Sequence, residues 1–307
     1  MIVYEPNRNW IKDIFHLTTS WTMKKLLMAV IVVGVLCGGV VFVLCDILDA
    51  HPILSSGIFS LFGIVLSILL VFRTNTAYDR WWEGRKQWGS LVNNSRNMAI
   101  MIQAMLPPDD RENRDYFARH ISNFSLALAE HLRKGTVLEK LDLTETELAK
   151  CKEMEHVPNY LSSLLFKRAQ ELYRAGIFSN DDILNLKPQL QSLLDVLGAC
   201  ERIKKTPIPF SYAVFLKTII SVYIILLPFG IVNDFAYYTV PIVMFVAFAF
   251  MGIQMMAEEI EDPFELNCND LPTETIAHTI RRNVYELLCE NHTIDVKHET
   301  HLYDKIF

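Results

Sequence analysis

The chain has 307 residues, of which 51% are apolar and 21% are charged, and its mean hydropathy is +0.21. Soluble globular proteins are also about half apolar, so these fractions exclude little by themselves. The apolar residues, however, form long runs, and the ranges 26–45, 52–72 and 235–257 contain no charged residue. A helix of roughly 20 residues crosses a hydrocarbon core, so a simple soluble enzyme is excluded.

Charge and motif content narrow the function classes further. The 29 basic and 35 acidic residues give a net charge of −6, which argues against nucleic-acid binding. The six cysteines show no CxxC spacing, so neither a disulfide framework nor a cysteine zinc site is expected. The sequence has no phosphate-binding glycine loop, no HExxH and no GxSxG motif, and we expect no enzymatic activity.

A fourth apolar run, 213–232, is interrupted only by Lys217 near its start, where a long side chain can reach the interface. The predicted spans are therefore 26–45, 52–72, 213–232 and 235–257, arranged as two hairpins. Lys and Arg precede the first span, follow the second and precede the third, whereas the connecting loops carry Asp and no Lys or Arg. The positive-inside rule then places both termini, the helical region 73–206 and the tail 258–307 in the cytoplasm.

The region 73–206 shows helical apolar spacing and no alternating strand pattern. It also lacks a linker rich in Gly, Ser or Pro that would separate it from the spans. We therefore predict a single all-α unit covering 1–307.

The second span contains Ile64, Ile68 and Phe72, which are four residues apart and so share one helix face. If several copies of this helix surround an axis, the row forms a narrow hydrophobic constriction that gates by dewetting. The alternative is an ordinary lipid-facing or core face, because apolar residues four apart are frequent in any spanning helix.

Two motifs lie at the ends of the helical region. Arg80, Trp81 and Trp82 follow the second span and are typical either of an interfacial aromatic belt or of a packed ion-pair network at a subunit contact. Pro207 and Pro209 precede the third span and cannot continue a helix, so they predict a stiff elbow at the membrane entry.

An acidic cluster follows the fourth span, with Glu258, Glu259, Glu261, Asp262 and Glu265 close together. Oxygen-rich clusters suit a hard cation such as calcium, although the spacing is not that of an EF-hand. The cluster is otherwise a solvated turn, or it pairs with the basic groups at 202–205 or 80–86.

Taken together, these features resemble the bestrophin family of ion channels over roughly residues 5–290. The resemblance is carried by the Arg80–Trp82 triplet, by Glu201-Arg202 with the 206–209 elbow, and by the segments 258–264 and 269–272, which include Pro263 and Phe264. It implies a homopentamer, a barrel of subunits in the bacterial inner membrane, with four transmembrane helices each and one central pore lined by the second span.

The resemblance also implies roles for individual residues. Ile64, Ile68 and Phe72 correspond to the hydrophobic neck, and Ile183, or alternatively Ile177, corresponds to a cytoplasmic aperture. The protein either has no cofactor or binds a divalent cation, calcium or zinc. Its candidate ligands are Glu259, Asp262, Asn269 and Asp270.

The implied partners are copies of the same chain, membrane lipid and the permeating monovalent ions. The family is described as chloride or anion channels, and bacterial relatives resemble conductors of monovalent cations. The net charge of −6 and the Asp181-Asp182 pair favour cations. The rival hypothesis is a membrane-anchored helical scaffold or sensor that binds a cytosolic partner, motivated by the size of the region 73–206.

Overall fold

The computed structural model describes Ile14 and the ranges 16–48, 56–133 and 135–289. Within these residues the fold is all-helical, as predicted. A short 3-10 turn, Leu17–Thr19, precedes the first long helix. The start of the second predicted span, 52–55, and the tail beyond 289 lie outside the described residues.

Nine α-helices are present in these ranges. They are α1 Trp21–Phe42, α2 Ser56–Met105, α3 Arg111–His131, α4 Glu145–Glu153, α5 Val157–Arg174, α6 Asn180–Lys205, α7 Phe210–Phe235, α8 Thr239–Glu261 and α9 Thr273–Leu288. Helix α1 continues through a π-helical turn to Ile47.

Three stretches are long and apolar enough to cross a membrane, judged by length and composition: Trp21–Ile47, Ser56–Met105 and Phe210–Glu261. The third is not one rod, because Ala236–Tyr238 forms a 3-10 turn inside it. The rings of Tyr223 and Phe250 lie 5.6 Å apart across this turn, so α7 and α8 fold back on each other as a hairpin.

Helix α2 is much longer than the predicted second span, because the helix does not end with the apolar run at residue 72. It continues without a break to Met105, and 50 residues correspond to a rod of about 75 Å. A hydrocarbon core is about 30 Å thick, so more than half of α2 must extend beyond it. The Pro107-Pro108 pair then ends the helix, since proline cannot continue it.

Two apolar cores lie along this rod. One joins the first part of α2 to α1, α7 and α8. The other joins the second part of α2 to α3, α5, α6 and α9, with Trp88, Phe117, Phe124 and Leu193 fully buried. Helix α2 thus contributes to both cores and connects the apolar helices to the more polar helices that follow them.

Local sequence signals define several helix starts in this layer. Thr144 and Glu147 form a capping box at α4, and Ser179 and Asp182 form another at α6. Each cap satisfies backbone N–H groups that have no partner within the helix.

Candidate ion pathway

The residues predicted to form the neck share an outward face of α2. Ile64, Ile68 and Phe72 are 60%, 52% and 62% exposed in the protomer, whereas Leu66 and Leu70 are each 1% exposed. Two residues correspond to about 200° of helix rotation, so the row points away from the protomer's own core. An exposed apolar row of this kind requires cover from lipid or from other copies of the chain.

After Phe72 most of the exposed residues on the same face are polar, and they include one acidic and one basic side chain. They are Asn75, Asp79, Lys86, Asn93 and Asn97, while the exposed Trp82 and Ile100 lie on this face as well. We call the residues from Ile64 to Asn97 on this face the α2 stripe. An apolar constriction followed by a polar passage is the pattern expected of a pore wall.

The Arg80 side chain holds α2 against two other helix ends. Its guanidinium donates to the backbone carbonyls of Ile203 and Thr206, both at 2.5 Å, and of Glu261 at 3.0 Å. These carbonyls belong to the ends of α6 and α8. Arg80 is therefore satisfied by backbone carbonyls within its own protomer, and it forms no ion pair with the described residues. An ion-pair network at a subunit contact stays a prediction.

The two tryptophans of the motif have different environments. Trp81 packs against the polar-layer core, and its indole N–H donates to the carbonyl of Asn269 at 2.9 Å. Trp82 is 48% exposed and stacks with Tyr78. The exposed Trp82 agrees with the interpretation as an interfacial aromatic belt, whereas Trp81, which packs on the core, does not.

The proline elbow has the predicted form. Helix α6 ends at Lys205, Pro209 is the N-cap residue of α7, and α7 begins at Phe210. The N–H of Ile208 donates to the Glu261 carboxylate at 2.6 Å. Because Ile208 lies between the two prolines, this bond attaches the elbow to the end of α8.

Pro263 and Phe264 complete this junction, and both are buried. A Cβ at Gly84 would lie 3.1 Å from Pro263 and 3.2 Å from Phe264. A larger residue at position 84 would require this loop to move away from α2 by a few tenths of an ångström. The sequence motifs after the second span, before α7 and after α8 thus converge at one level of the molecule.

Most of the acidic cluster is engaged by basic groups. Lys204 pairs with Asp262 and, at 3.2 Å, with Glu265, while Lys217 pairs with Glu258 at 2.6 Å. The alternative in which the cluster pairs with the basic group at 202–205 is therefore confirmed for Lys204.

Glu259 and Asp270 are buried and have no basic partner among the contacts described here. Glu259 accepts from Thr22 at 2.5 Å and from the backbone N–H of Asn269 at 3.1 Å. Burial raises the pKa of Asp270 to about 7, and the neighbouring Glu259 and Asp262 carboxylates act in the same direction. The hydrogen bond that Asp270 accepts from the N–H of Asn267 opposes this rise. A cation would relieve this electrostatic cost.

The four candidate metal ligands do not form a compact shell. Among the described residues, the carboxylates of Glu259, Asp262 and Asp270 do not meet as a group of three within 4.8 Å. Asn269 contributes its backbone N–H to Glu259, which is a donor and not a metal ligand. A calcium or zinc site at these residues stays a prediction.

Both aperture candidates lie where α5 turns into α6. Ile183 is half-buried in the first turn of α6, and Ile177 is 38% exposed in the preceding turn. The 26 residues of α6 place this end about 39 Å from the elbow. Asp182 accepts from Ser179 and caps its own helix, which leaves the exposed Asp181 as the freer charge of the pair.

Sequence reasoning missed two features of this pathway. The first is the second part of the α2 stripe. Its spacing of three, four and seven residues would have predicted it if the second span and the region after it had been treated as one helix. The contacts of Arg73 and Thr22 with the end of α8 join residues far apart in the chain, and no local pattern signals them.

A family model described as "Bacterial/Fungal Bestrophin protein" matches residues 1–286. The chain belongs to the bestrophin family. A curated relative from Nostoc sp., named a voltage-dependent anion channel-forming protein, is 38% identical over 243 residues, 78% of each chain. The equally named YneE of Escherichia coli K12 is 30% identical over 288 residues, covering 93% of this chain and 94% of its own.

Solved structures agree with this assignment. A bacterial bestrophin homologue from Klebsiella pneumoniae matches with a TM-score of 0.79 and 29% identity, over 85% of this chain and 98% of the other. The all-helical fold of this chain is therefore that of the bacterial bestrophin structures.

Proposed function

We propose that copies of this chain assemble around an axis lined by α2 and form a membrane channel for small monovalent ions. The observation that carries the proposal is the α2 stripe, which is apolar at Ile64, Ile68 and Phe72 and mostly polar beyond them. The names of the curated bestrophin relatives, which describe channel-forming proteins, support the same function. No enzymatic role is proposed.

We infer four membrane crossings per subunit, with both termini on the cytoplasmic side of a bacterial inner membrane. Thr22 at the start of α1 contacts Glu259 at the end of α8, and Arg73 of α2 contacts Glu261 at 2.6 Å. At the other end, Tyr237 donates to Asp46, which brings the two hairpin tips to one level. The Lys and Arg bias then orients the hairpins.

The assembly we propose is a homopentamer in contact with membrane lipid. Its neck consists of Ile64, Ile68 and Phe72 from each copy, and these apolar side chains control passage by dewetting. The cytoplasmic aperture is assigned to Ile183, with Ile177, six residues earlier, as the alternative. A native mass spectrum of the detergent-solubilised protein measures the number of copies directly.

For selectivity we propose monovalent cations. The neck carries no charge, so selection depends on the field of the surrounding protein, which has a net charge of −6. On the stripe the exposed Asp79 lies nearer to the neck than the exposed Lys86 does. The relatives' names point to anions instead. The reversal potential in planar bilayers under a sodium chloride gradient separates these alternatives, because it moves toward the equilibrium potential of the permeant ion.

The same recording tests the channel itself. Purified protein should produce unitary currents, and a bilayer without current under all gradients would contradict the proposal. The rival scaffold function predicts no ion flux in liposomes together with stoichiometric capture of a cytosolic partner.

A further inference from the structure

Three side chains that the channel proposal does not use meet at the junction of α3, α5 and α6. The Nε2 atom of His131, at the end of α3, lies 2.8 Å from Oε1 of Glu201 on α6. The Nε2 atom of His156, the N-cap residue of α5, lies 3.1 Å from the same oxygen. The two imidazole ring centroids are 4.4 Å apart. We call these three residues the His–His–Glu cluster.

The ligand atoms of the cluster converge on one point. One nitrogen from each histidine and one carboxylate oxygen all lie within 4.8 Å of one another, and this is the only such group of three found in the described part of the chain. The side chains are 20% to 30% exposed, so solvent and ions can reach them. Two imidazole nitrogens with one carboxylate oxygen are a ligand set that suits zinc.

The contacts of the cluster converge on a single carboxylate oxygen. Oε1 of Glu201 is contacted by both imidazoles and by the Lys205 ammonium. The Lys205 ammonium, 3.2 Å away and 70% exposed, is free to swing into solvent.

Both rings donate from Nε2 to the Glu201 carboxylate, so a metal on Nε2 moves the proton of each ring to Nδ1. At His156 this rearrangement also costs a contact. Its Nδ1 atom accepts the Asn159 N–H over a long 3.4 Å contact, so the neutral ring carries its proton on Nε2. A metal on Nε2 moves that proton to Nδ1 and ends the contact. The loss is small, because a hydrogen bond of this length is weak.

We propose that His131, His156 and Glu201 bind a divalent transition-metal ion, with Zn²⁺ as the preferred ion and solvent in the remaining coordination position. Bound metal joins the end of α3 and the start of α5 to α6, four residues before α6 ends at Lys205. Because α6 leads directly into the proline elbow, the metal stiffens the polar layer at the entry to the membrane. This inference is independent of ion selectivity and of channel activity.

The test measures metal binding to tag-free, full-length protein stripped with a chelator. We expect titration with ZnCl₂ to give one saturable site per protomer by calorimetry, and a rise in the thermal unfolding midpoint that a chelator reverses. Removing a group that merely supports a metal ligand typically weakens binding by about 10- to 100-fold, and removing a ligand should weaken it at least as much.

Two ligand variants and one control make the result specific. His131→Gln and His156→Asn each remove an imidazole, and asparagine keeps an N-cap acceptor for α5, so this variant is expected to fold. The control, His298→Gln with His301→Gln, removes two histidines of the tail that are close in sequence and could bind zinc themselves.

The proposal stands if the tail control binds Zn²⁺ like the unmodified protein while His156→Asn does not. It is overturned if the unmodified protein takes up no Zn²⁺, if the tail control abolishes uptake, or if His156→Asn binds as tightly as the unmodified protein. The result for His156→Asn decides even if His131→Gln fails to fold.

Discussion

Arg73 and Glu261 form a buried ion pair, with Nη2 and Oε2 2.6 Å apart, at the turn of α2 that follows Phe72. Arg73 is almost fully buried, and Glu261 also accepts the N–H of Ile208 in the elbow. A single carboxylate thus joins α2, α8 and the entry to α7 directly below the predicted neck. Changes at the elbow are therefore expected to reach α2 through Glu261.

Replacing Glu261 by glutamine should strongly destabilise the protein, because it leaves the Arg73 charge buried without its partner. Removal of one member of a buried pair typically costs about 3–5 kcal/mol. Thermal unfolding in detergent measures the loss. The matched control is Glu258→Gln, which breaks the more exposed pair with Lys217 and should cost at most about 1 kcal/mol. Equal losses for the two variants would show that the Arg73 pair has no special role.

Ile68→Ala should increase single-channel conductance or open probability. A smaller side chain widens the proposed constriction and makes it easier to hydrate. Val35→Ala on α1 is the control, since Val35 is 71% exposed and lies on a helix that does not carry the stripe. Indistinguishable currents from the two variants would place Ile68 on lipid and not on a pore.

Asp79→Asn should lower the preference for cations over anions, measured as a shift of the reversal potential toward the chloride equilibrium value. The shift should shrink at high salt, because the Debye length falls from about 10 Å at 0.1 M to about 3 Å at 1 M. Asp109→Asn, an exposed change of the same charge in the loop after α2, is the comparison. If both variants leave selectivity unchanged, the stripe does not set the ion sign.

The contribution of Asp270 to the free energy of unfolding should decrease as the pH rises from about 4 toward 7. The folded state raises the pKa of this carboxyl to about 7, so it keeps a proton that the unfolded chain has already lost. Asp270→Asn should flatten that part of the pH profile and stabilise the protein at pH 8. A profile unchanged by the substitution would contradict the elevated pKa.

Calcium provides a separate test of the acidic loop. If Glu259 and Asp270 share a cation, added CaCl₂ should raise the thermal midpoint at pH 8 in the unmodified protein and much less in Asp270→Asn. The His156→Asn variant serves as the control, because its metal ligands belong to the other cluster. No calcium-dependent shift in the unmodified protein would remove this loop as a calcium site.

The sequence by itself determined the membrane character, the all-helical fold and the positions of the apolar helices. These properties depend on hydrophobic runs and on spacing along the chain, which are local. The position of Ile64, Ile68 and Phe72 on one helix face could be predicted for the same reason, since residues four apart share a face wherever the helix is placed. The motifs at Arg80, Pro207 and Pro263 could also be identified in the sequence, but their contacts could not.

Only the tertiary structure decided what those motifs contact. Arg80 donates to carbonyls more than 120 residues away in the sequence, and Glu261 pairs with Arg73, which lies 188 residues earlier in the chain. His131, His156 and Glu201 come from three separate helices and meet only because α3, α5 and α6 pack together. Such contacts depend on how helices are placed against one another, and nothing in the local pattern of the chain specifies that placement.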